Sequence, residues 1–76
     1  MAKEIIHICK GERKRLSSQN NAHDCMFRCI TGWGYIRIMS EPKRLLFQTG
    51  SDLYAPANEI VTISCIQDMT VEMELG

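Results

Sequence analysis

The chain predicts a mainly β fold, a small antiparallel barrel or bent sheet of six to seven short strands. Three observations carry that expectation. β-Branched and aromatic residues come in short runs, many of which alternate apolar with polar positions. Turn residues punctuate these runs at close intervals, and no long stretch holds the apolar spacing of a helix.

The first run, Glu4-Ile-Ile-His-Ile-Cys-Lys10, places Ile6 and Ile8 on one face and Ile5, His7 and Cys9 on the other. Neither face is polar, so it reads as a strand covered on both sides. Gly11 ends it, and the Ser, Asn and charge content of residues 11–24 predicts a mobile polar loop. Cys25–Met39 reads as a β-hairpin turning at Gly32-Trp33, with Ile30 opposite Tyr35, Arg28 opposite Arg37 and Phe27 opposite Ile38. One face then holds Cys25, Phe27, Cys29, Ile36 and Ile38, a core face. The other holds Met26, Arg28, Ile30, Tyr35, Arg37 and Met39, a partner face.

That segment has an alternative. Ala22, Cys25, Met26, Cys29 and Ile30 fall at helical spacing, with Asn21 as a cap and Gly32 as a stop, giving an α+β fold with one short helix at about residues 21–31. Phe27 would sit off that stripe, and the hairpin also explains Tyr35–Met39, so the β reading is preferred.

Ser40-Glu-Pro-Lys43 is a turn, because proline cannot donate within a strand. Arg44–Gln48 and Leu53–Ala55 read as strands around a turn at Thr49–Asp52, and Pro56-Ala-Asn58 punctuates again. Glu59–Ile66 is rich in β-branched residues, with Val61, Ile63 and Cys65 on one face. A turn at Gln67-Asp68 precedes a last half-buried strand in which Met69, Val71, Met73 and Leu75 alternate with Thr70, Glu72 and Glu74. Its free edge can pair with a second copy of the chain. The spacing is similar to that of SH3-like and Sm-like barrels, a likeness of architecture that leaves function open.

Seventy-six residues make a single domain, 1–76, near the size at which one core is marginally sufficient. Hydrophobic residues at 45% and charged residues at 24% match ordinary globular usage, so the chain should fold. No apolar run approaches the ~20 residues that span a bilayer, and no leader-like apolar segment follows Met-Ala-Lys-Glu. The expectations are therefore no membrane, a cytoplasmic location, and reduced thiols at Cys9, Cys25, Cys29 and Cys65. The net charge is zero, yet residues 1–44 carry nine bases and four acids while residues 45–76 carry five acids and no base. Such asymmetry suits an anionic ligand or self-association, unless the fold intermixes the two halves.

His7, Cys9, His23, Cys25 and Cys29 are the available zinc ligands, but they form no Cys-x2-Cys knuckle and match no standard zinc spacing. Core cysteines are the preferred reading, and no metal or cofactor is expected. No nucleophile–base–orienter set and no phosphate-binding glycine loop is present, so no catalytic residues are assigned and the chain is expected not to be an enzyme. Nucleic acid, RNA in particular, is the better-motivated ligand. Arg28 and Arg37 would stand opposite each other beside Tyr35, with Arg13, Lys14 and Arg15, Lys43 and Arg44, and a tip Trp33 extending the surface. The alternative is a protein-binding adaptor or inhibitor that docks through the hairpin or a strand edge, and in either case a homodimer or larger oligomer is expected.

Overall fold

Two stretches hold their apolar alternation longest, and they become the centre of the molecule. The structure, a computed structural model, describes residues 3–17 and 24–75. Its regular elements are strands: β1 (Lys3–Ile8), β2 (Arg13–Ser17), β3 (Cys25–Ile38), β4 (Leu45–Gln48), β5 (Asp52–Ala55) and β6 (Ile60–Leu75). Among the described residues, no helix is long and apolar enough to cross a membrane.

All six strands form one antiparallel sheet. β3 and β6 pair along their whole length, from Cys25 opposite Leu75 to Ile38 opposite Val61. Each carries two short strands on its outer side. β1 pairs the C-terminal half of β6 and β2 its N-terminal half, while β5 pairs the start of β3 and β4 its end. The sheet is thus four lanes wide, and both outer lanes break at the same level, at residues 9–12 and 49–51.

The break is a bend, and glycine permits it. At the first outer lane, Gly11 N–H donates to Cys65 O at 3.0 Å and Cys65 N–H to Glu12 O at 2.9 Å, so pairing continues through the corner. At the other, Cys29 N–H donates to Ser51 O at 3.0 Å and Gly50 N–H to Cys29 O at 2.9 Å. Between them β3 shifts register against β6 at Cys29/Thr31, Thr31/Trp33 and Trp33/Gly34, and such bulges bend and twist a strand. Gly32, with φ of 78°, lies so close to the Asp68 carbonyl that a Cβ would overlap it, and a Cβ on Gly34 would overlap Ser64 O.

The bend divides the sheet into two arms whose inner faces share one core. Ile8, Cys25, Phe27, Cys29, Ala55, Met69 and Val71 come from the first arm; Ile36, Phe47, Val61, Ile63 and Cys65 come from the second. Phe27 and Phe47 each contribute roughly 3 kcal/mol by burial. The sheet folds over without closing into a barrel, leaving β1–β2 and β4–β5 as its edges.

Six sequence expectations change here. Cys25–Met39 is not a hairpin: β3 continues through Gly32-Trp33, because Gly32 and Gly34 serve the corner against β6 instead of a reversal. Cys25–Thr31 is strand, which removes the helix alternative for those residues, while 21–23 lie outside the described residues. Gln67-Asp68 is not a turn, since β6 continues through it, and β6 is central instead of a free edge. Arg13–Ser17, read as loop, is a strand because it supplies hydrogen bonds to β6 and lays Leu16 against the core. The remainder of that expected loop, 18–23, lies outside the described residues. The first strand is covered on one face only, with Ile5 51% exposed.

The corner yields a stability prediction. Gly32→Ala combines a left-handed backbone with a backbone clash and should destabilise by about 2–4 kcal/mol in urea unfolding. Gly50→Ala has the same sign of φ but open space around it, and should cost only about 1 kcal/mol. Equal costs would show that close approach to β6 is not what Gly32 provides.

Candidate anion-binding site

The outer face of the second arm is built by register. Arg13, Ser64, Tyr35 and Leu46 lie side by side across β2, β6, β3 and β4; the next row is Arg15, Thr62 and Arg37. Short hydroxyl side chains therefore stand on the central lane with long side chains on both sides. The consequence is a trough. With strands ~4.8 Å apart, Arg15 and Arg37 flank Thr62 at a backbone separation of roughly 10 Å.

The trough forms a cleft of about 460 Å³ lined by Arg13, Arg15, Tyr35, Arg37, Arg44 and Met39, with Thr62 and Ser64. Among the described residues, four guanidiniums line it and no carboxylate does. The Arg44 guanidinium lies 4.1 Å above the Tyr35 ring, a cation–π contact, and Trp33 meets Tyr35 edge-on with centroids 6.0 Å apart. Arg37 Nε donates to the Glu41 carbonyl at 3.2 Å, tying β3 to the turn that follows it. Arginine forks and hydroxyl donors suit phosphate oxygens, and aromatic rings suit bases.

Of the residues expected from sequence, Arg13, Arg15, Tyr35, Arg37 and Arg44 converge here, and Trp33 supports them from the bend. Arg28 does not. It lies on the first arm, opposite Glu72 and Asp52 and not Arg37, and its Nε binds Asp52 Oδ1 at 2.7 Å. This pair holds the Asp52 carboxyl below its ordinary value, chiefly through the hydrogen bond. Lys14 occupies the inward register opposite Ile63 yet is exposed, and Lys43 is exposed in the turn before β4; neither lines the trough. Thr62 and Ser64 were missed as site residues, while Met39, expected on the partner face, lines the trough. Thr62 and Ser64 interrupt an otherwise apolar face of Ile60 and Ile66, the one sequence signal that could have marked them.

The zinc candidates are not brought together. His7 lies on the outer face of β1, with Nδ1 3.3 Å from Thr70 Oγ1, and Cys9 is exposed at the corner. Cys25 and Cys29 are buried in the core, where burial raises both thiol pKa values. His23 lies outside the described residues. Among the described residues no three His, Cys, Asp or Glu side chains form a metal-sized group. All four cysteines are free thiols.

Outside the trough, ion pairs join bases of the first half of the chain to acids of the second. Lys3 Nζ lies 3.2 Å from Glu72 and 3.6 Å from Glu74 on the first arm. Asp24 accepts from the Tyr54 hydroxyl and from Ala57 N–H, fastening the chain beyond β5 to the start of β3. On the first arm the fold thus intermixes the basic and acidic halves of the sequence.

No family model and no curated protein matches the chain. Its fold is similar to solved structures. A protein of unknown function from Vibrio parahaemolyticus superposes with a TM-score of 0.81 at 10% identity, covering 95% of this chain and 72% of that one. A conserved protein of unknown function from Streptococcus pyogenes gives 0.78 at 19% identity, covering 96% of this chain and 60% of that one. This chain therefore spans about three-fifths of that longer protein. A candidate mannose-6-phosphate isomerase from Ralstonia eutropha gives 0.60 at 15% identity, covering 93% of this chain and 69% of that one. At these identities the likeness is one of fold, and because the fold also occurs in a candidate isomerase it does not by itself argue against catalysis.

The Arg28–Asp52 pair predicts a titration change. In Arg28→Ala, the Asp52 carboxyl should titrate higher by NMR, toward an ordinary carboxylate. Because its folded value is depressed, the pair's stabilising contribution is present above the unfolded pKa and is lost as pH falls through the folded one. An unshifted Asp52 in the variant would refute the pairing in solution.

Proposed function

We propose that the chain is a cytoplasmic binding protein whose second arm grips single-stranded nucleic acid, RNA in particular, in the arginine trough. The observation that carries this reading is the meeting, on one outer face, of four guanidiniums, two hydroxyl side chains and a Tyr–Trp pair, with no lining carboxylate among the described residues. Arg15 and Arg37 take backbone phosphate, while Tyr35 and Trp33 offer the stacking surface that single-strand binders use. Its action is binding, without chemistry on the ligand. The cytoplasmic assignment is supported by four free thiols, three of them buried.

A second reading, a protein-binding adaptor or inhibitor that also self-associates, is supported by edge strand β4, where Leu45 and Leu46 are 53% and 51% exposed.

A salt titration separates the two. Wild type should retain mixed-sequence single-stranded RNA at low ionic strength and lose it steeply as salt rises. The Arg15→Ala/Arg37→Ala variant should bind more weakly, with a log–log salt slope shallower by about 1.4 for two lost phosphate contacts. Arg28→Ala, on the other arm, should leave the slope unchanged. Negligible wild-type retention at low salt rejects the nucleic-acid reading and favours the adaptor.

A further inference from the structure

The trough has a direction, and that direction carries an inference about which part of a strand it holds. Along β3, the aromatic pair Trp33 and Tyr35 lies toward the sheet corner, and Arg37 lies toward the opposite end. Arg37 sits in the row with Thr62 and Arg15, so two guanidiniums and one hydroxyl face a common point. The aromatic side chains lie at one end of the cleft with Arg13 and Arg44 beside Tyr35, and the Arg15–Thr62–Arg37 row lies beyond them. The spacing from Trp33 to Arg37, four strand residues, is roughly 13 Å.

The turn after β3 borders the phosphate end. Met39 lines the cleft there, with Met39 N–H bound to Ile60 O at 2.8 Å and Glu41 N–H to Ile38 O at 2.9 Å. Arg37 Nε, on Glu41 O, closes the same turn from its other side. A continuous strand would have to leave over this fixed turn. A strand that ends there would not.

Charge points the same way. An internal phosphodiester carries a single negative charge, whereas a terminal phosphomonoester carries about −1.5 to −2 at neutral pH, with three strong acceptor oxygens. The seat itself sets two guanidiniums and one hydroxyl around a single point, a donor set that the charge and three acceptor oxygens of a monoester fill more fully than a single diester does. We infer that the Arg15–Thr62–Arg37 row seats the phosphomonoester terminus of a single-stranded nucleic acid, with its terminal base against Tyr35 and Trp33. This rests on the nucleic-acid reading above.

The test uses one short RNA sequence in three forms: 5′-phosphorylated, 3′-phosphorylated, and with hydroxyls at both ends. By fluorescence anisotropy with the whole chain, one phosphorylated form should bind about tenfold tighter than the hydroxyl form. Which form gains identifies the end that is held. The advantage should shrink between about pH 7.5 and pH 5.5, as the monoester takes up a proton near pH 6. Among the described residues, the charged groups lining the cleft are Arg13 and Arg15 from β2, Arg37 from β3 and Arg44 before β4, and β6 contributes Thr62 and Ser64. Arg15→Ala/Arg37→Ala should abolish the advantage, and Arg28→Ala should retain it. Equal, measurable binding of the three forms overturns the terminal seat and leaves the nucleic-acid reading standing; no binding of any form overturns both.

Discussion

The pairing of β3 with β6 across a shared bend is the constraint on which the remaining structure depends. Each is too long to lie flat over a core of this size, so the sheet folds and buries one face of each half against the other. The fold line needs backbones to pass closely, which is why Gly32 meets the Asp68 carbonyl and Gly34 meets that of Ser64. The outer lanes break where the central strands bend, and hydrogen bonding persists through both corners, so no strand loses its partner at the fold. With a core drawn from both arms, neither arm can be stable without the other.

The same bend creates the site by separating two outer surfaces. On the first arm, opposite charges come into register: Arg28 beside Asp52, and Lys3 beside Glu72 and Glu74. On the second arm, bases from β2, β3 and the segment before β4 surround the hydroxyls of β6. A chain with no net charge thereby presents one strongly cationic concavity. Concavity and charge have one origin, because the small residues that form the floor lie on the lane between the arginine-bearing ones.

Much of the core was legible from residue type. Phe27, Cys29, Ile36, Val61, Ile63 and Val71 were expected on inner faces, and all are buried, because side-chain alternation is a local property of an extended backbone. The hairpin at Gly32-Trp33 and the turn at Gln67-Asp68 failed for a shared reason. A glycine that allows reversal also allows close passage beside another strand, and local sequence does not distinguish these uses. The strand at Arg13–Ser17 failed because its polar composition resembles a loop, whereas the available edge of β6 outweighed its weak propensity.

For the site, the sequence alone determined which chemistry was available: nine basic residues, one Trp and two Tyr, a charge-divided chain, and the absence of standard metal or nucleotide motifs. Tertiary structure decided which of those residues meet. Arg28 and Arg37 belong to one unbroken strand, yet the bend sends one to an aspartate and the other to an arginine-lined trough. Arg13 and Arg15 reach that trough only because β2 joins β6 in a register that brings Thr62 between Arg15 and Arg37. Register between distant strands is set by the packing of a common core and by backbone hydrogen bonds, and neither is written in the spacing of residues along a single strand.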